Sequence, residues 1–250
     1  GPNEGDQACG DIGPGRMSEP KEIIQEVAKE FSSGLLAGKK VLITAGPTRE
    51  KIDPVRYISN KSSGKMGFSL AKAAVGESAI VTLISGPVTL ETPERVHRID
   101  IESAEEMREK VIENLSDIDL FISTAAVADF KMKNAKSQKI KKGQSKSMSL
   151  QLEKNEDILK LVSKNNPELK IVGFAAETEN MIDNARKKLS SKNLNLIVAN
   201  DVSDSSIGFD SNNNEVTLIT EKEELNIPKT SKEKVARKIV QFISKNVLDG

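Results

Sequence analysis

The sequence predicts an α/β fold built on a mostly parallel sheet with helices on both faces. Short apolar runs alternate along the chain with segments whose apolar residues recur at helical spacing, which is typical of consecutive strand and helix units. Several of these runs are apolar throughout, as strands are when both of their faces are buried. Most of them end in small or polar residues, as strands do where a parallel sheet opens onto a ligand crevice. Together these observations indicate a Rossmann-like parallel sheet, with a basic flap and a small antiparallel extension added to it.

The composition excludes several classes of protein. The chain of 250 residues is long enough for a full hydrophobic core, and its 37 Lys and Arg residues balance 37 Asp and Glu residues. Zero net charge argues against broad electrostatic binding of nucleic acid. No apolar run approaches the roughly 20 residues that cross a bilayer, and the start does not look like a signal peptide, so we expect a cytoplasmic protein without a membrane partner. One cysteine and one histidine leave no basis for an internal disulfide or a multi-cysteine zinc site.

The N-terminal part is predicted to be an appendage. Residues 1–20 are rich in glycine, proline and charge, which predicts a flexible arm or the edge of another domain. A helix is predicted from about residue 20 to residue 32, where a Ser-Ser-Gly sequence ends it. Only one core is apparent after that point. We therefore divide the chain into an appendage with a linker helix, residues 1–38, and one domain, residues 39–250.

The first half of the domain alternates strands and helices. The run from Val41 to Ile43 is short and β-branched enough to be a buried strand, and a second strongly apolar run starts at Leu120. Between them, apolar residues recur at helical spacing in two segments. The predicted strands cover residues 40–44, 79–85, 95–99 and 120–126, and the predicted helices cover residues 67–75 and 104–114.

The second half of the domain has a different rhythm. Residues 129–147 hold many lysines and no convincing core, so we predict a mobile basic flap there. Turn-forming residues at 207–214 precede two alternating segments that predict a hairpin. The predicted strands cover residues 147–152, 170–176, 194–200, 215–219 and 222–227, and the predicted helices cover residues 158–163, 180–191 and 231–248.

The connection between the first strand and the first helix of the domain has the composition of an anion site. Residues 59–67 place hydroxyls, an amide, two lysines and two glycines just before a helix, where backbone N–H groups and the positive end of the helix dipole favour an anion. A capped turn is the plainer alternative, and neither standard nucleotide-binding motif occurs. We predict a phosphate site from these residues. Its candidate members are Gly46, Ser62, Ser63, Gly64 and Lys65.

Further candidates stand at the predicted strand ends or near them, and each has a plainer explanation. Asp129 is either a surface carboxylate or a ligand for nucleotide-bound Mg²⁺. Phe174 is either a core residue or a contact for a base. Lys139 on the flap is either solvated or available to neutralise charge that develops during nucleotidyl transfer. Lys188 and Lys192, four residues apart, share a helix face and could reach a phosphate.

Seven segments of the chain together resemble a known family signature. They are residues 43–50 (ITAGPTRE), 53–60 (DPVRYISN), 62–67 (SSGKMG), 125–130 (AAVADF), 138–142 (QKIKK), 173–178 (GFAAET) and 199–202 (ANDV). These motifs resemble those of phosphopantothenate-cysteine ligase, an enzyme family of coenzyme A biosynthesis. The similarity runs from about Lys39 to the C-terminus.

The resemblance implies a two-step ligation of 4′-phosphopantothenate with L-cysteine. The phosphopantothenate carboxylate attacks the α-phosphate of CTP, which releases pyrophosphate and leaves an acyl-cytidylate. The amino group of cysteine then attacks the acyl carbon and CMP leaves. This chemistry requires no protein nucleophile, which suits a chain with almost no histidine or cysteine. The resemblance also implies Mg²⁺ bound with CTP and a homodimer with its sites near the subunit interface.

Individual roles are carried over by motif. Asn60 would hold the acyl intermediate for the second step, and Lys139 would favour formation of that intermediate. Asp129 would also hold the metal ion. The CTP-binding positions implied by the family are Ala125, Ala126, Asp129, Lys139, Asn155, Glu156, Asp157, Ile158, Phe174, Lys188 and Lys192. Glu156 stands where the family usually has proline, which makes this turn less rigid.

The N-terminal arm carries a second resemblance. Residues 8–11 (ACGD) and 13–17 (GPGRM) are similar to the substrate clamp of the flavin-dependent phosphopantothenoylcysteine decarboxylase, which is often fused ahead of the ligase. Cys9 matches the cysteine that protonates the decarboxylated intermediate in that family. The FMN-binding domain is not in this sequence, so we expect residues 1–38 to include a remnant of the clamp from a bifunctional polypeptide.

Two other classes of function compete with a ligase. An NAD(P)-dependent Rossmann oxidoreductase would have a similar sheet, but the sequence lacks G-x-G-x-x-G after the first strand and has a lysine-rich flap. A non-catalytic nucleotide-binding dimerisation module is the other alternative. A test for pyrophosphate release with CTP, phosphopantothenate and cysteine together distinguishes the three.

Overall fold

An eight-stranded sheet forms the centre of the computed structural model, which describes residues 3–6, 12–20, 22–23, 27, 34–141, 148–177, 179–201 and 210–248. Cys9, most of the predicted helix at 20–32 and flap residues 142–147 lie outside these residues. In chain order the strands are β1 (Asn3–Asp6), β2 (Ile12–Arg16), β3 (Lys40–Ala45), β4 (Arg49–Lys51), β5 (Tyr57–Ser59), β6 (Ile80–Ser85), β7 (Val96–Asp100), β8 (Leu120–Ser123), β9 (Phe130–Met132), β10 (Leu152–Lys154), β11 (Lys170–Glu177), β12 (Leu196–Asp201), β13 (Asn213–Ile219) and β14 (Glu224–Ser231). Residues 20, 22, 23 and 27 are helical, and the helices that follow them are α1 (Lys65–Gly76), α2 (Ala104–Glu113), α3 (Ile158–Asn165), α4 (Met181–Ser191) and α5 (Lys232–Ile243). A π-helical turn, Ser244–Leu248, follows α5.

The central sheet is mostly parallel. Its strands lie in the order β14-β13-β12-β11-β8-β3-β6-β7. The strands from β12 to β7 are parallel to their neighbours, and the hairpin β13-β14 adds an antiparallel edge to β12. The predicted Rossmann-like sheet with a small antiparallel extension is therefore confirmed. Because the six strands run the same way, the loops after their C-terminal ends lie along one edge of the sheet.

Helices cover both faces of the sheet because its central strands are apolar on both faces. Along β3, Val41 and Ile43 belong to the core cluster that contains residues of α1 and α5, whereas Leu42 belongs to the cluster that contains residues of α2, α3 and α4. All three side chains are fully buried. This assignment to opposite cores follows from the period of two along a strand.

Several strands of the domain differ from the sequence prediction. β4, β5 and β9 were not predicted, and β14 continues to Ser231, four residues past its predicted end. β8 ends at Ser123, three residues before the predicted end, because the chain then leaves the sheet and Ala126 makes an isolated bridge with Pro47. The strand predicted at 147–152 is wrong over residues 148–151, and the observed strand is β10. Met148 and Leu152 are both about half exposed, so the alternation that suggested a strand has no buried face behind it.

The N-terminal arm is more ordered than its composition suggests. The composition of residues 1–20 predicts a flexible arm or the edge of another domain, and within this stretch β1 and β2 pair in antiparallel fashion. The side chains of β2 are exposed or half-buried, with Ile12 82% exposed, so β2 pairs with β1 through backbone hydrogen bonds. Amino-acid composition indicates which segments are buried but does not indicate which backbones pair, so the sequence did not predict these strands.

The described part of the flap is attached at its base by a short antiparallel pair. β9 pairs with β10, with Phe130 opposite Lys154 and Met132 opposite Leu152. Lys139 lies between β9 and the residues that are not described, and its side chain is exposed. Within the described ranges, no helix is long and apolar enough to cross a membrane.

Candidate ligand-binding site

Glycines allow α1 to begin directly against the ends of the central strands. Gly46 and Gly64 adopt positive φ angles of 74° and 75°, which glycine accepts without strain. A Cβ atom on Gly67 would lie 2.5 Å from Ala45 Cβ and 2.5 Å from Thr124 Oγ1, so any side chain there would push the helix away from β3. Gly64 provides no side chain to cap α1, and the positive end of the helix dipole is left facing the space next to it.

That space is a cleft of about 340 Å³ at the C-terminal edge of the sheet. The start of α1 forms one wall, and the loop after β8 and the ends of β11 and β12 form another. Three lysines, and no carboxylate among the described residues, line it. The lining residues are Asn60, Lys61, Ser62, Ser63, Gly64, Lys65, Met66, Gly67, Thr124, Ala125, Ala126, Phe174, Ala176, Asn200, Asn214 and Lys232. Its electrostatic character therefore suits an anion.

Lys65 and Lys232 are held by the same short segment of chain. Lys65 Nζ donates to the Asp210 carbonyl at 2.7 Å and to Asn212 Oδ1 at 2.9 Å, and Lys232 Nζ donates to the Ser211 carbonyl at 2.6 Å. Burial, and then the nearby Lys65 ammonium, lower the pKa of Lys232 from 10.5 to about 8, although the Asp210 charge opposes them. Two ammonium groups are thus kept near each other where a bound anion would relieve their repulsion.

Asn60 connects the two walls of the cleft. Its Nδ2 donates to the Val127 carbonyl at 3.0 Å and to the Ala126 carbonyl at 3.4 Å. Both carbonyls belong to the loop after β8, in which Ala125 and Ala126 line the cleft. The side chain of Asn60 is exposed, so its amide stands at the surface between the two walls.

The predicted CTP positions divide into two groups. Ala125, Ala126 and Phe174 line the cleft together with the predicted phosphate-site residues Ser62, Ser63, Gly64 and Lys65. Gly46 is not among the lining residues, but its backbone shapes the wall, since its carbonyl accepts the Ala126 N–H at 2.9 Å. The remaining CTP positions do not line the described cleft. They are Asp129, Lys139, Asn155, Glu156, Asp157, Ile158, Lys188 and Lys192.

Most of this second group forms a neighbouring cluster at the start of α3. Asn155 Nδ2 donates to the Ala128 carbonyl at 2.8 Å, and the Asn155 N–H donates to the Asp129 carbonyl at 2.8 Å. Asp157 caps α3 through the Lys160 N–H and pairs with Lys192 at 2.7 Å. Partial burial raises the pKa of the Asp157 carboxyl, but hydrogen bonds from Lys192 and Lys160 outweigh this and hold it below its usual value.

Other members of the cluster are also engaged in contacts within the chain. Lys188 donates to the Glu177 carboxylate at the end of β11. Glu156, at the position where the family has proline, lies 3.7 Å from Arg108 of α2. Ile158 is buried in the core beneath α3. A nucleotide bound here would therefore meet lysines that already have carboxylate partners.

Asp129 fits a metal ion only as part of a shared coordination sphere. Its side chain is exposed. Within the described ranges, no group of three or more His, Cys, Asp or Glu side chains is arranged to hold a metal ion. Mg²⁺ is commonly held by one or two carboxylates together with substrate phosphates, and a single exposed carboxylate is consistent with that mode.

The sequence did not assign several lining residues. Lys232 is the first residue of α5, where an acidic residue is usual, and this departure was a signal that could have been noticed. Asn214 lies in β13, where the sequence predicted a turn, and its Nδ2 reaches Met66 Sδ at 3.9 Å. Thr124 comes directly after β8, and nothing in its local sequence distinguishes it. These residues are far apart in the chain, so their contacts can be identified only from the folded structure.

The fold and the site define an α/β domain with a cationic ligand cleft at the C-terminal edge of a mostly parallel sheet. The chain belongs to the family described as the DNA/pantothenate metabolism flavoprotein C-terminal domain, which matches residues 36–247. This finding agrees with the resemblance to the ligase part of bifunctional coenzyme A biosynthesis proteins.

Curated relatives are about half identical to this chain over the aligned region. The coenzyme A biosynthesis bifunctional protein CoaBC of Vibrio cholerae is 49% identical over 247 residues, and that of Bacillus subtilis is 47% identical over 248 residues. Each alignment covers 97% of this chain and 61% of the relative. The chain therefore spans about three-fifths of the length of these relatives.

Solved structures share the fold. The C-terminal domain of a coenzyme A biosynthesis bifunctional protein CoaBC is 42% identical, with a TM-score of 0.73, and the match covers 85% of this chain and 97% of that chain. The mutant H337A of Cab2 in complex with phosphopantothenate-cysteine has a TM-score of 0.67 at 18% identity, covering 91% of this chain and 94% of that chain. At 18% identity, the match to Cab2 shows a shared fold and nothing more.

Proposed function

We propose that this chain catalyses the CTP-dependent ligation of 4′-phosphopantothenate with L-cysteine through an acyl-cytidylate. The cationic cleft carries the proposal, because a phosphate monoester needs cations and backbone N–H donors, and the start of α1 with Lys65 and Lys232 supplies both. The names of the relatives, which are coenzyme A biosynthesis proteins, support it. The Cab2 structure adds that a protein of the same fold is described in complex with phosphopantothenate-cysteine.

The substrate phosphate would sit at the start of α1. Ser62, Ser63 and the first N–H groups of α1 would donate to its oxygens, while Lys65 and Lys232 balance its two negative charges. From there the pantothenate chain would extend past Asn60 to the loop after β8. This direction would place the reacting carboxylate between the cationic cleft and the cluster at the start of α3.

CTP would occupy the side of the site formed by Ala125, Ala126, Phe174 and the cluster. Phe174 is partly exposed at the end of β11 and would stack against the base. The lysines of the cluster, Lys188 and Lys192, would contact the phosphates after exchanging or sharing their carboxylate partners. Asp129 would contribute one oxygen ligand to Mg²⁺, which neutralises phosphate charge when it is bound with CTP.

The chemistry would proceed by positioning and charge neutralisation. One carboxylate oxygen of phosphopantothenate forms a bond to the α-phosphorus of CTP, and the bond from that phosphorus to the bridging oxygen breaks as pyrophosphate leaves. Lys139 on the flap would stabilise the charge that builds on the phosphates during this step. The amine of cysteine then attacks the acyl carbon and CMP departs, with Asn60 holding the intermediate in place.

The assembly proposed with this function is a homodimer in the cytoplasm. The relatives are named as bifunctional proteins, which implies a second activity in them. We propose that a flavin-dependent decarboxylase domain belongs to the same polypeptide as this chain. FMN would bind in that domain, and Cys9 would be its proton donor. Sedimentation of the chain at several concentrations tests the dimer, since a species of one subunit's mass throughout would contradict it.

Pyrophosphate release provides the test of the ligase function. The chain is incubated with Mg²⁺, CTP, 4′-phosphopantothenate and cysteine, and then with each component omitted. We expect pyrophosphate to need CTP and phosphopantothenate, and CMP and the ligated product to need cysteine as well. ATP in place of CTP tests the nucleotide preference. If neither CTP nor ATP supports product formation, the proposal is refuted, and a binding module or an oxidoreductase is the alternative.

A further inference from the structure

Asp53 is buried in the loop between β4 and β5, yet it lies outside the cleft. The side chain is fully buried, and its Oδ1 accepts the N–H groups of Val55 at 2.8 Å and Arg56 at 2.9 Å. Its Oδ2 faces the Arg56 guanidinium, with Nη1 at 3.2 Å. These contacts stabilise the local turn at residues 53–56. Asp53 also makes one contact with a residue outside this turn.

The additional contact reaches the flap. Asp53 Oδ2 also accepts the N–H of Ile140 at 3.1 Å, across 87 residues of sequence. The carbonyl of Ile140 accepts Arg56 Nη2 at 3.4 Å, so both polar groups of this residue's backbone are held by one ion pair. A third bond, from the Lys136 N–H to the Ile52 carbonyl at 3.0 Å, joins the same two segments. We refer to Asp53, Arg56 and Ile140 as the clasp.

The clasp is the attachment next to Lys139. Residues 133–139 are all exposed, so no buried side chain fixes this stretch of the flap. The pair β9-β10 ends at Met132, several residues before Lys139. Ile140 is therefore the nearest residue to Lys139 whose backbone is bonded to the body of the domain, and small changes in the clasp would move the lysine.

We propose that Asp53 is a positioning residue for the first step of ligation: through Ile140 and Arg56 it sets where the flap presents Lys139. This inference rests on the proposed function, because it takes Lys139 as the group that assists formation of the acyl-cytidylate. Burial raises the pKa of Asp53, but the hydrogen bonds from Val55, Ile140 and Arg56 and the Arg56 charge outweigh it and hold the pKa below its usual value. The carboxylate thus stays ionised, which keeps the clasp closed at neutral pH.

The test compares Asp53→Asn with wild type and with Asp100→Asn. Asp100 is an exposed carboxylate that pairs with Arg98 on the edge strand β7, so its variant matches the chemical change away from the flap. Asp53→Asn keeps the size of the side chain and places an amide where the Ile140 N–H needs an acceptor. We expect hydrogen exchange of residues 136–141 to accelerate about 10-fold or more in Asp53→Asn alone.

The kinetic arm measures single-turnover pyrophosphate release. We expect Asp53→Asn to slow it by about 10-fold to 100-fold, with KM for 4′-phosphopantothenate changed by less than about 2-fold, because the phosphate cleft is untouched. In a Lys139→Gln background the same substitution should add less than about 2-fold, since Asp53 would act through a lysine that is no longer there. Equal losses in both backgrounds would overturn the inference.

A second variant separates the flap from the local turn. Ile140→Pro removes the N–H that Asp53 accepts and leaves residues 52–56 intact, so it should reproduce the slower pyrophosphate release even if Asp53→Asn disturbs its own loop. Unchanged exchange in residues 136–141 of Asp53→Asn, or a loosened flap with normal pyrophosphate release, overturns the inference and leaves the ligase function standing. Absence of ligation in wild type refutes the proposed function instead.

Discussion

Binding of 4′-phosphopantothenate should weaken as the pH rises from 7 to 9, because Lys232 loses its proton in this range. The pKa of Lys232 is lowered to about 8. At pH 7 about nine-tenths of the Lys232 side chains are then charged, and at pH 9 about one-tenth, so an affinity that requires the ammonium form falls roughly 10-fold. The charge of the ligand itself changes little, since the second pKa of a phosphate monoester is near 6.

Calorimetric titration of the protein with 4′-phosphopantothenate at several pH values measures this change. Lys232→Met should weaken binding at pH 7 by about 10-fold to 100-fold, which is the value of a hydrogen bond to a charged group, and should abolish the dependence on pH. Lys232→Arg keeps its charge throughout and should bind with nearly constant affinity between pH 7 and 9. Lys72→Met is the matched control, because Lys72 is an exposed residue of α1 that pairs with Glu233.

Protein stability provides an independent check on the same residue. Because the pKa of Lys232 is lower in the folded chain than its ordinary value of 10.5, the unfolded chain binds more protons between pH 8 and 10.5, and stability should rise across that window. Each pH unit is worth at most about 1.4 kcal/mol, and we expect about half of it because solvent in the open cleft screens the ammonium. Lys232→Met should lack this contribution. A flat affinity between pH 7 and 9 in wild type, or a fall that persists in Lys232→Met, would refute the reasoning.

Three further predictions concern the chemistry and the packing of the site. Asn60→Asp should let the acyl-cytidylate accumulate while the ligated product decreases, as seen by chromatography of quenched reactions; unchanged turnover would remove Asn60 from the second step. Lys139→Gln should leave the melting temperature unchanged and suppress the intermediate, and normal intermediate formation would show that the lysine is dispensable. Gly67→Ala should lower the free energy of unfolding by about 1–3 kcal/mol, because the new Cβ meets Ala45 and Thr124 at 2.5 Å; denaturant unfolding would contradict this if the midpoint were unchanged.

The parts of the fold that depend on burial could be predicted from the sequence. The strands β3 and β11 were located to within a residue or two, because their apolar runs are buried on both faces and leave no alternative. The antiparallel pair at β1 and β2 was missed, since its order comes from backbone bonds. The end of β8 was also misplaced, because its last apolar residues continue into a loop held by Gly46 and Pro47.

Within the candidate site, one segment was predictable from its own residues, whereas Ala125 and Ala126 were assigned through the family resemblance. Residues 59–67 contain their own chemical signal, namely glycines and hydroxyls before a helix, and the structure places most of them around one cleft. Lys232 comes from the far end of the chain, and its altered pKa arises from burial and from Lys65, neither of which is visible in its local sequence. The partnership of Asp53 with Ile140 likewise joins distant segments, and only the fold shows it.

In the proposed reaction, the arrangement of charges would give the two halves of the site different tasks. In the cleft, Lys65 and Lys232 donate to the Asp210 and Ser211 carbonyls and to Asn212 Oδ1, so an incoming phosphate would meet two ammonium groups that are already close together. In the cluster at the start of α3, Lys192 is held by Asp157 and Lys188 by Glu177, so a nucleotide must displace or share those partners. Binding of the substrate phosphate in the cleft would thus neutralise two ammonium groups. Binding of the nucleotide phosphates at the cluster would replace the carboxylate partners of Lys188 and Lys192 with phosphate oxygens. Asn60 donates to the Ala126 and Val127 carbonyls of the loop after β8, so in the proposed reaction its amide would lie near an acyl group that reaches this loop.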